Sequence, residues 1–345
     1  PKAHAQERRM RRRGGVLPNS DLAKTPPPLT ALQIEQAHKF STGAGVIVAV
    51  IDTGVRPPQP RLPGMIAGGD YVDPPASGAN GFEDCEGHGT IVAGIIGAAP
   101  APTDGLIGVA PNAQILAIRQ TSLAYMPENQ SSNPPDDPPN QSRTAGDIRT
   151  LARAIVHAAN MGARVINISV VSCVKVTTPH RPGDARRRAQ VRHRGKRRTR
   201  RRRRRQRQLR GRQRGGGQPE LQEQPPRRRP DPPRRPPATG GGGVTVVSTP
   251  PSWFDDLVLS VGFVSPEGAR AENTMSGPWV DVAAPGSGIV SLSSSGEGVI
   301  NGVPPGEEAG LVPIAGTSFA AAYVSGTAAL LRSRFPQMSA REVAT

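Results

Sequence analysis

With 345 residues, 3% aromatics, 38 Pro and 40 Gly, the chain is long enough for one large α/β domain or two small ones, and no run of 18 apolar residues or secretory leader lies within it. Its formal charge of +17 points to nucleic acid or an anionic surface, but residues 181–239 hold 24 Lys/Arg against 4 Asp/Glu, and residues 1–13 hold 6 against 1. The remainder is net acidic, which excludes a basic surface spread over the whole protein.

Residues 1–40 are polar and Pro-rich, with Pro26-Pro27-Pro28, and read as an extended N-terminal arm. Gly45–Ile51 is a β-branched run, as expected of a strand buried on both faces of a parallel sheet, and it ends at Asp52-Thr53-Gly54. Gly87–Gly97 predicts a helix opening at His88, and Ala113–Arg119 predicts the next strand. Leu123–Asn140 is a polar, Pro-rich loop. Asp147–Met161 has helical periodicity with Asp147 as its cap, and Arg164–Val171 is a further buried strand. Residues 179–243 carry no apolar periodicity. Order resumes at Val244–Val247 and Leu257–Val264, and Gly316–Arg332 predicts a helix stopped near Pro336. Strands alternating with helices predict an α/β fold with a doubly wound, mostly parallel central sheet and helices on both faces. The chain begins without Met and stops within Ala340–Thr345, a predicted helix, as a piece of a longer protein would.

A serine hydroxyl is a weak nucleophile at neutral pH and needs a base to take its proton and a carboxylate to orient that base. Asp52 lies at the carboxyl end of a predicted strand, where α/β sheets place their chemistry. His88 and Ser318 each open a predicted helix with Gly and Thr close by, in Gly87-His88-Gly89-Thr90 and Gly316-Thr317-Ser318, so backbone approaches closely and the helix dipole faces the site. Taken singly, Asp-Thr-Gly reads as a strand-to-turn junction, His-Gly-Thr as a structural cap and Gly-Thr-Ser as a capping sequence. Together, in the order Asp, His, Ser and each in fitting local structure, they make Asp52, His88 and Ser318 a candidate catalytic triad.

Val48–Gly54, Gly87–Gly94 and Gly316–Ala321 resemble the three signature blocks of subtilases, and Val109-Ala110-Pro111 and Ala283–Gly286 resemble two further landmarks. The resemblance covers 41–178 and 244–345 and implies a subtilisin-like fold and a serine endopeptidase. Within subtilases, Asp84–Gly89, Val170–Cys173 and Thr249–Phe254 resemble the mycosins, the membrane-anchored proteases of actinobacterial type VII secretion systems. That likeness implies a protein or peptide substrate, a secretion membrane complex as partner, and an extracytoplasmic, membrane-associated enzyme. Its signal peptide and transmembrane helix are not among these residues. Asn167, beside Ser169, resembles the family's structural Asn-x-Ser. No cofactor is expected. Asp281 and Asp70 could bind calcium, but no ligand cluster accompanies them, so no metal is assigned. His157 reads as a surface or core residue.

The domain reading is an N-terminal extension over 1–40 and a catalytic domain over 41–345, interrupted by an aberrant Arg/Pro-rich segment at 179–243. Subtilases carry an oxyanion-binding Asn on a strand resembling VVVAAGN, which should fall between Val171 and Val261. No such strand is written there. The tract reads as a nucleic-acid-binding insertion, as a solvated loop, or as translation out of frame. Only the last explains the loss of a helix and a core strand. His180–Arg186 can be encoded so that a frame one base later gives Ile-Asp-Gln-Ala-Thr-Leu. Arg200–Gln208 can be encoded so that the same shift gives Val-Val-Val-Ala-Ala-Gly-Asn-Asp, with the Asn codon straddling Gln206 and Arg207. Leu221-Gln222 and Met10-Arg11 can each hide a Cys codon.

The spacing of Cys85 and Cys173 leaves open whether they pair. The mycosin likeness implies two disulfides, one tying the arm to the catalytic domain, with Cys85 and Cys173 as surviving halves. As written, the chain is expected to fold poorly and to show little protease activity. The alternatives are a structural component of the secretion complex and an Arg-rich nucleic-acid binder. The tract has no Phe, Tyr or Trp for base stacking, so no nucleic acid is expected.

Overall fold

The run Ile47–Asp52 has no polar side chain before its last residue, so either of its faces can be buried, and the fold uses both. The computed structural model describes residues 3–5, 14–57, 59–72, 80–127, 148–169, 174–175, 247–248, 258–272, 274, 280–296, 298–305 and 310–344. In chain order the elements are β1 (Ala3–Ala5), α1 (Pro27–Ala31), α2 (Ile34–His38), β2 (Ile47–Asp52), β3 (Ile66–Asp70), α3 (His88–Gly97), β4 (Gln114–Arg119), β5 (Tyr125–Pro127), α4 (Ile148–Asn160) and β6 (Val165–Ile168). They continue with β7 (Val174–Lys175), β8 (Val247–Ser248), β9 (Val261–Val264), β10 (Val282–Pro285), β11 (Ser291–Leu292), β12 (Val299–Ile300), β13 (Gly302–Val303), β14 (Val312–Pro313), α5 (Thr317–Arg334) and α6 (Ala340–Ala344).

The chain forms two compact units. One comprises residues 1–172 and 250–345, and the other comprises 173–249. In the second, the described residues are an antiparallel pair, β7 with β8, in the register Val174↔Ser248 and Lys175↔Val247.

The centre of the first unit is a four-stranded sheet in the order β3-β4-β2-β6, parallel throughout. Side chains alternate across each strand. Val48 and Val50 of β2 and Ile115 and Ala117 of β4 join a core with Ile91 and Ile95 of α3 and Tyr323 and Ala329 of α5. Their neighbours Ala49, Ile51, Leu116 and Ile118 join a second core with Ala154 and Ala158 of α4. Helices therefore cover both faces, as the alternation of elements implied. Each fully buried Ile or Val contributes about 1.5–3 kcal/mol, so this double burial holds the sheet together.

The parallel strands fall into two sheets. Among the described residues β6 pairs with β2 and with no strand on its other side, while β9 and β10 form a separate parallel pair. Helix α5 packs against β2, β6, β9 and β10 alike.

The arm differs from its sequence reading. Residues 14–40 are not simply extended, because two one-turn helices, α1 and α2, form there and bury Leu29 and Ile34 in the core. Pro27 stands at the first helical position, where its missing N–H costs nothing and its fixed φ suits the helix. Asn301 also grips the arm, accepting from Leu17 N at 2.8 Å and donating to Ser20 Oγ at 2.7 Å. The loop read from Leu123 begins with β5, paired antiparallel to β1 as Ala5↔Tyr125. Asp147, Cys173, Gln206, Arg207 and the tract 179–243 lie outside the described residues.

Candidate active site

Asp52, at the carboxyl end of β2, is fully buried. Its Oδ1 accepts from the backbone N–H of Thr53 at 2.7 Å and binds His88 Nδ1 at 2.7 Å. His88 is the first residue of α3, and its imidazole is about one-third exposed (32%) while Asp52 has no exposure. A carboxylate on Nδ1 fixes the neutral imidazole with its proton there and its lone pair on Nε2.

The close approach of β2 to α3 depends on two glycines. Gly54 has φ +103°, and a Cβ on it would strike the Glu83 carbonyl. A Cβ on Gly89 would strike the carbonyl of Gly54. Three carboxylates in the preceding segment then tie the region down. Glu83 pairs with Arg119 Nη1 at 2.8 Å. Asp84 accepts from Thr53, Gly87 and Thr90. Glu86 accepts from Ser122 Oγ at 2.6 Å and from the backbone N–H groups of Leu123 and Ala124.

Burial works against a charged His88, but the nearby carboxylates of Asp52, Asp84 and Glu86 outweigh it, so its pKa stands above the ordinary 6.5. Desolvation likewise raises the pKa of the fully enclosed Asp84, even though Thr90 and Thr53 hydrogen-bond to its charged form.

Ser318 is the second residue of α5, after Gly316-Thr317. The next residue, Phe319, sets its ring 5.3 Å from the His88 ring, centroid to centroid, and so brings the start of α5 to the imidazole. The Ser318 hydroxyl donates to the Ser169 carbonyl at 3.2 Å, and the Ser169 hydroxyl donates to the Ser318 carbonyl at 3.2 Å. Asn167, buried in β6, donates to Ser169 Oγ at 2.7 Å and accepts from Ser325 Oγ at 2.9 Å, a structural placement.

The remaining residues named from the sequence lie elsewhere or are engaged. His157 is in the last turn of α4. Asp70 Oδ2 meets Arg119 Nη1 at 2.9 Å, and Asp281 accepts from Ser260 N at 2.7 Å. Cys85 is a free thiol that donates to Glu83 Oε1 at 3.3 Å; burial, then Glu83, pushes its pKa up to about 12. The structure brings Asp52 and His88 into contact and sets Phe319, the neighbour of Ser318, against the His88 ring, while sequence reasoning missed the bonding roles of Asp84, Thr53, Thr90 and Ser169. The only sequence signal was an Asp four residues before His88 with a Thr two after it.

A family model described as the Subtilase family matches residues 43–214 and 233–345. Mycosin-1 of Mycolicibacterium smegmatis is 43% identical over 328 residues, which cover 95% of this chain and 68% of that protein. The solved MycP3 protease from the type VII (ESX-3) secretion system is similar with a TM-score of 0.75 at 39% identity, over 99% of this chain and 86% of that chain. A chain in the periplasmic assembly from the ESX-5 inner membrane complex is similar with a TM-score of 0.71 at 37% identity, over 96% of this chain and 79% of that chain.

Proposed function

We propose a mechanism and a setting for a chain that belongs to the subtilase family and, within it, to the mycosins, serine endopeptidases of subtilisin type. Ser318 is the nucleophile, His88 the general base and Asp52 the residue that orients it. The observation that carries this reading is the 2.7 Å bond from His88 Nδ1 to Asp52 Oδ1, which leaves Nε2 as the basic nitrogen.

On substrate binding the Ser318 hydroxyl leaves the Ser169 carbonyl and gives its proton to Nε2. Its oxygen adds to the scissile carbonyl carbon. The proton then passes from Nε2 to the leaving amine, and water, deprotonated by the same nitrogen, hydrolyses the acyl ester. The substrate docks in extended form, as an added strand.

The setting is extracytoplasmic and membrane-associated, in a type VII secretion complex. The MycP3 and ESX-5 relatives support it. Among the described residues no helix is long and apolar enough to cross a membrane. Cys85 forms a disulfide to the arm in the intact protein. Support comes from the mycosin likeness and from the place of Cys85 in the cluster of Val72, Ala124 and Tyr125.

Activity of the literal sequence is a separate matter. The Asn that should polarise the substrate carbonyl is expected near Gln206 and Arg207, and residues 1–13 and 179–243 are translated out of frame. Among the described residues one side of β6 is unpaired and β9–β10 form a separate pair, both under α5, which supports a strand belonging between them that the sequence from 179 to 243 does not spell. The same feature favours a second reading, a structural and non-catalytic role in the secretion complex. A fluorophosphonate probe tests the first reading. Labelling that disappears in Ser318→Ala supports it, and a folded protein that takes no label leaves the structural role.

A further inference from the structure

We infer that Asp84 is a positioning residue that holds His88 against Asp52 by bonding to the backbone and side chains on both sides of that pair. The inference rests on the reading of His88 as base and Asp52 as its orienting acid.

Asp84 is 2% exposed and lies in neither β2 nor α3. Its Oδ1 accepts from Thr53 Oγ1 and from Gly87 N, both at 2.8 Å. Its Oδ2 accepts from Thr90 N at 2.9 Å and Thr90 Oγ1 at 2.6 Å. Thr53 Oγ1 in turn accepts from Gly89 N at 2.9 Å. Thr53 follows Asp52 directly, and Gly87 and Gly89 flank His88. One carboxylate thus fixes the residue after the acid and three of the first backbone N–H groups at the start of α3, one of them through Thr53.

These N–H groups have no partner within the helix, and the N-cap, Gly87, has no side chain to offer. Asp84 supplies the cap from three residues upstream. Its charge also suits the positive end of the helix dipole.

The chemistry requires a carboxylate. Four donors converge on two oxygens, and an ionised Asp accepts at both. An Asn offers one acceptor oxygen and one NH2. Whichever way it turns, the NH2 faces the N–H of Gly87 or of Thr90, and neither backbone donor can reverse. Asp84→Asn therefore pushes the start of α3 away with little change in side-chain volume.

The groups facing the imidazole are Asp52 from β2, Asp84 and Glu86 from the segment before α3, and the uncharged Phe319 ring from α5. Removing the Asp84 charge should lower the His88 pKa. Thr53→Val keeps that charge and removes the hydroxyl bridge to Gly89, so it isolates position from charge. Thr53→Ser keeps the bridge.

The test is an NMR pH titration of His88 in the full chain, assigned by the loss of its signal in His88→Gln, together with the rate of fluorophosphonate labelling. Asp84→Asn and Thr53→Val should move the titration to lower pH and slow labelling about 10–10²-fold, the scale of a misplacement of about 1 Å, while Thr53→Ser stays near the parent protein. Unchanged titration and labelling in both variants overturn the proposal. If Asp84→Asn does not fold, Thr53→Val decides the matter alone. If the parent takes no label yet its His88 titration still responds, positioning stands and the endopeptidase reading fails.

Discussion

Ser318 and Ser169 exchange hydrogen bonds, the hydroxyl of each donating to the backbone carbonyl of the other at 3.2 Å. The start of α5 is thereby pinned to the end of β6, and Asn167 supports the link from inside the sheet. Ser169→Ala removes one side of this exchange and strands the buried Asn167 amide. It should cost about 1–3 kcal/mol of stability, the usual penalty for an unsatisfied buried donor. Thermal unfolding checks it, and Ser169→Thr, which keeps the hydroxyl, should recover most of the loss.

The raised pKa of His88 sets opposite pH trends for activity and stability. Only the neutral imidazole accepts a proton, so labelling of Ser318 should rise as pH passes through a value above 6.5. The fold favours the protonated form, so this stabilisation is complete below the unfolded value near 6.5 and is lost as pH climbs through the folded value. Labelling rates and melting temperatures measured across that window should move in opposite senses. His88→Gln should flatten the His88-linked part of the melting curve.

Gly89→Ala drives a methyl group into the Gly54 carbonyl, against backbone rather than a flexible side chain. Overpacking of this kind costs about 1–3 kcal/mol, and here it acts between Asp52 and His88. The variant should melt earlier and label more slowly than its stability loss alone explains. Comparison with a destabilised variant in α4, remote from the site, separates the two effects.

Arg119 is fully buried, pairs with Asp70 and Glu83, and lies 4.4 Å from the centre of the Tyr125 ring. Arg119→Leu removes the guanidinium from the buried Asp70 carboxylate and from the partly exposed Glu83, under the loop that carries Glu83 to Glu86. Breaking a buried pair from one side costs about 3–5 kcal/mol. Chemical denaturation should show a loss on that scale. Arg119→Lys should recover only part of it, since an ammonium does not reproduce the guanidinium fork.

The frame reading is checked on the gene. DNA across codons 1–20 and 170–250 should show single-base indels near residues 10 and 180, and an intact frame sinks the idea. A chain with the frame restored should label Ser318 faster. Loss of one oxyanion donor costs about 10²–10³-fold in kcat, a magnitude taken over from subtilisin, and the restored strand should add stability beyond that.

Much of the fold was legible because burial on both faces leaves a plain mark. Ile47–Ile51 and Ile115–Ile118 have no polar residue to decide which side faces in, and parallel strands between helix layers are where such runs occur. The pairing of Asp52 with His88 was legible from order and local context, since the one ends a strand and the other opens a helix. Asp84 was not, because its meaning depends on Thr53, 31 residues away, and on a helix end visible only after folding. Arg119 read as the polar end of a strand, yet its charge is met by residues from two other segments. The helices of the arm were hidden by Pro26-Pro27-Pro28, a sequence that suits an extended chain as well as a first helical turn.

Helix α5 lies near the end of these residues, yet it packs against β2, near the start of the domain, and against β6 and β9 in between. A chain made from its N-terminus can bring Asp52 and His88 together while Ser318 is still unmade. Contacts so distant along the chain form late, after the intervening loops have closed. The Ser318 hydroxyl then takes its place after the Asp52–His88 pair has formed. Under the proposed mechanism, synthesis order leaves the His88 base without its nucleophile until α5 has been made.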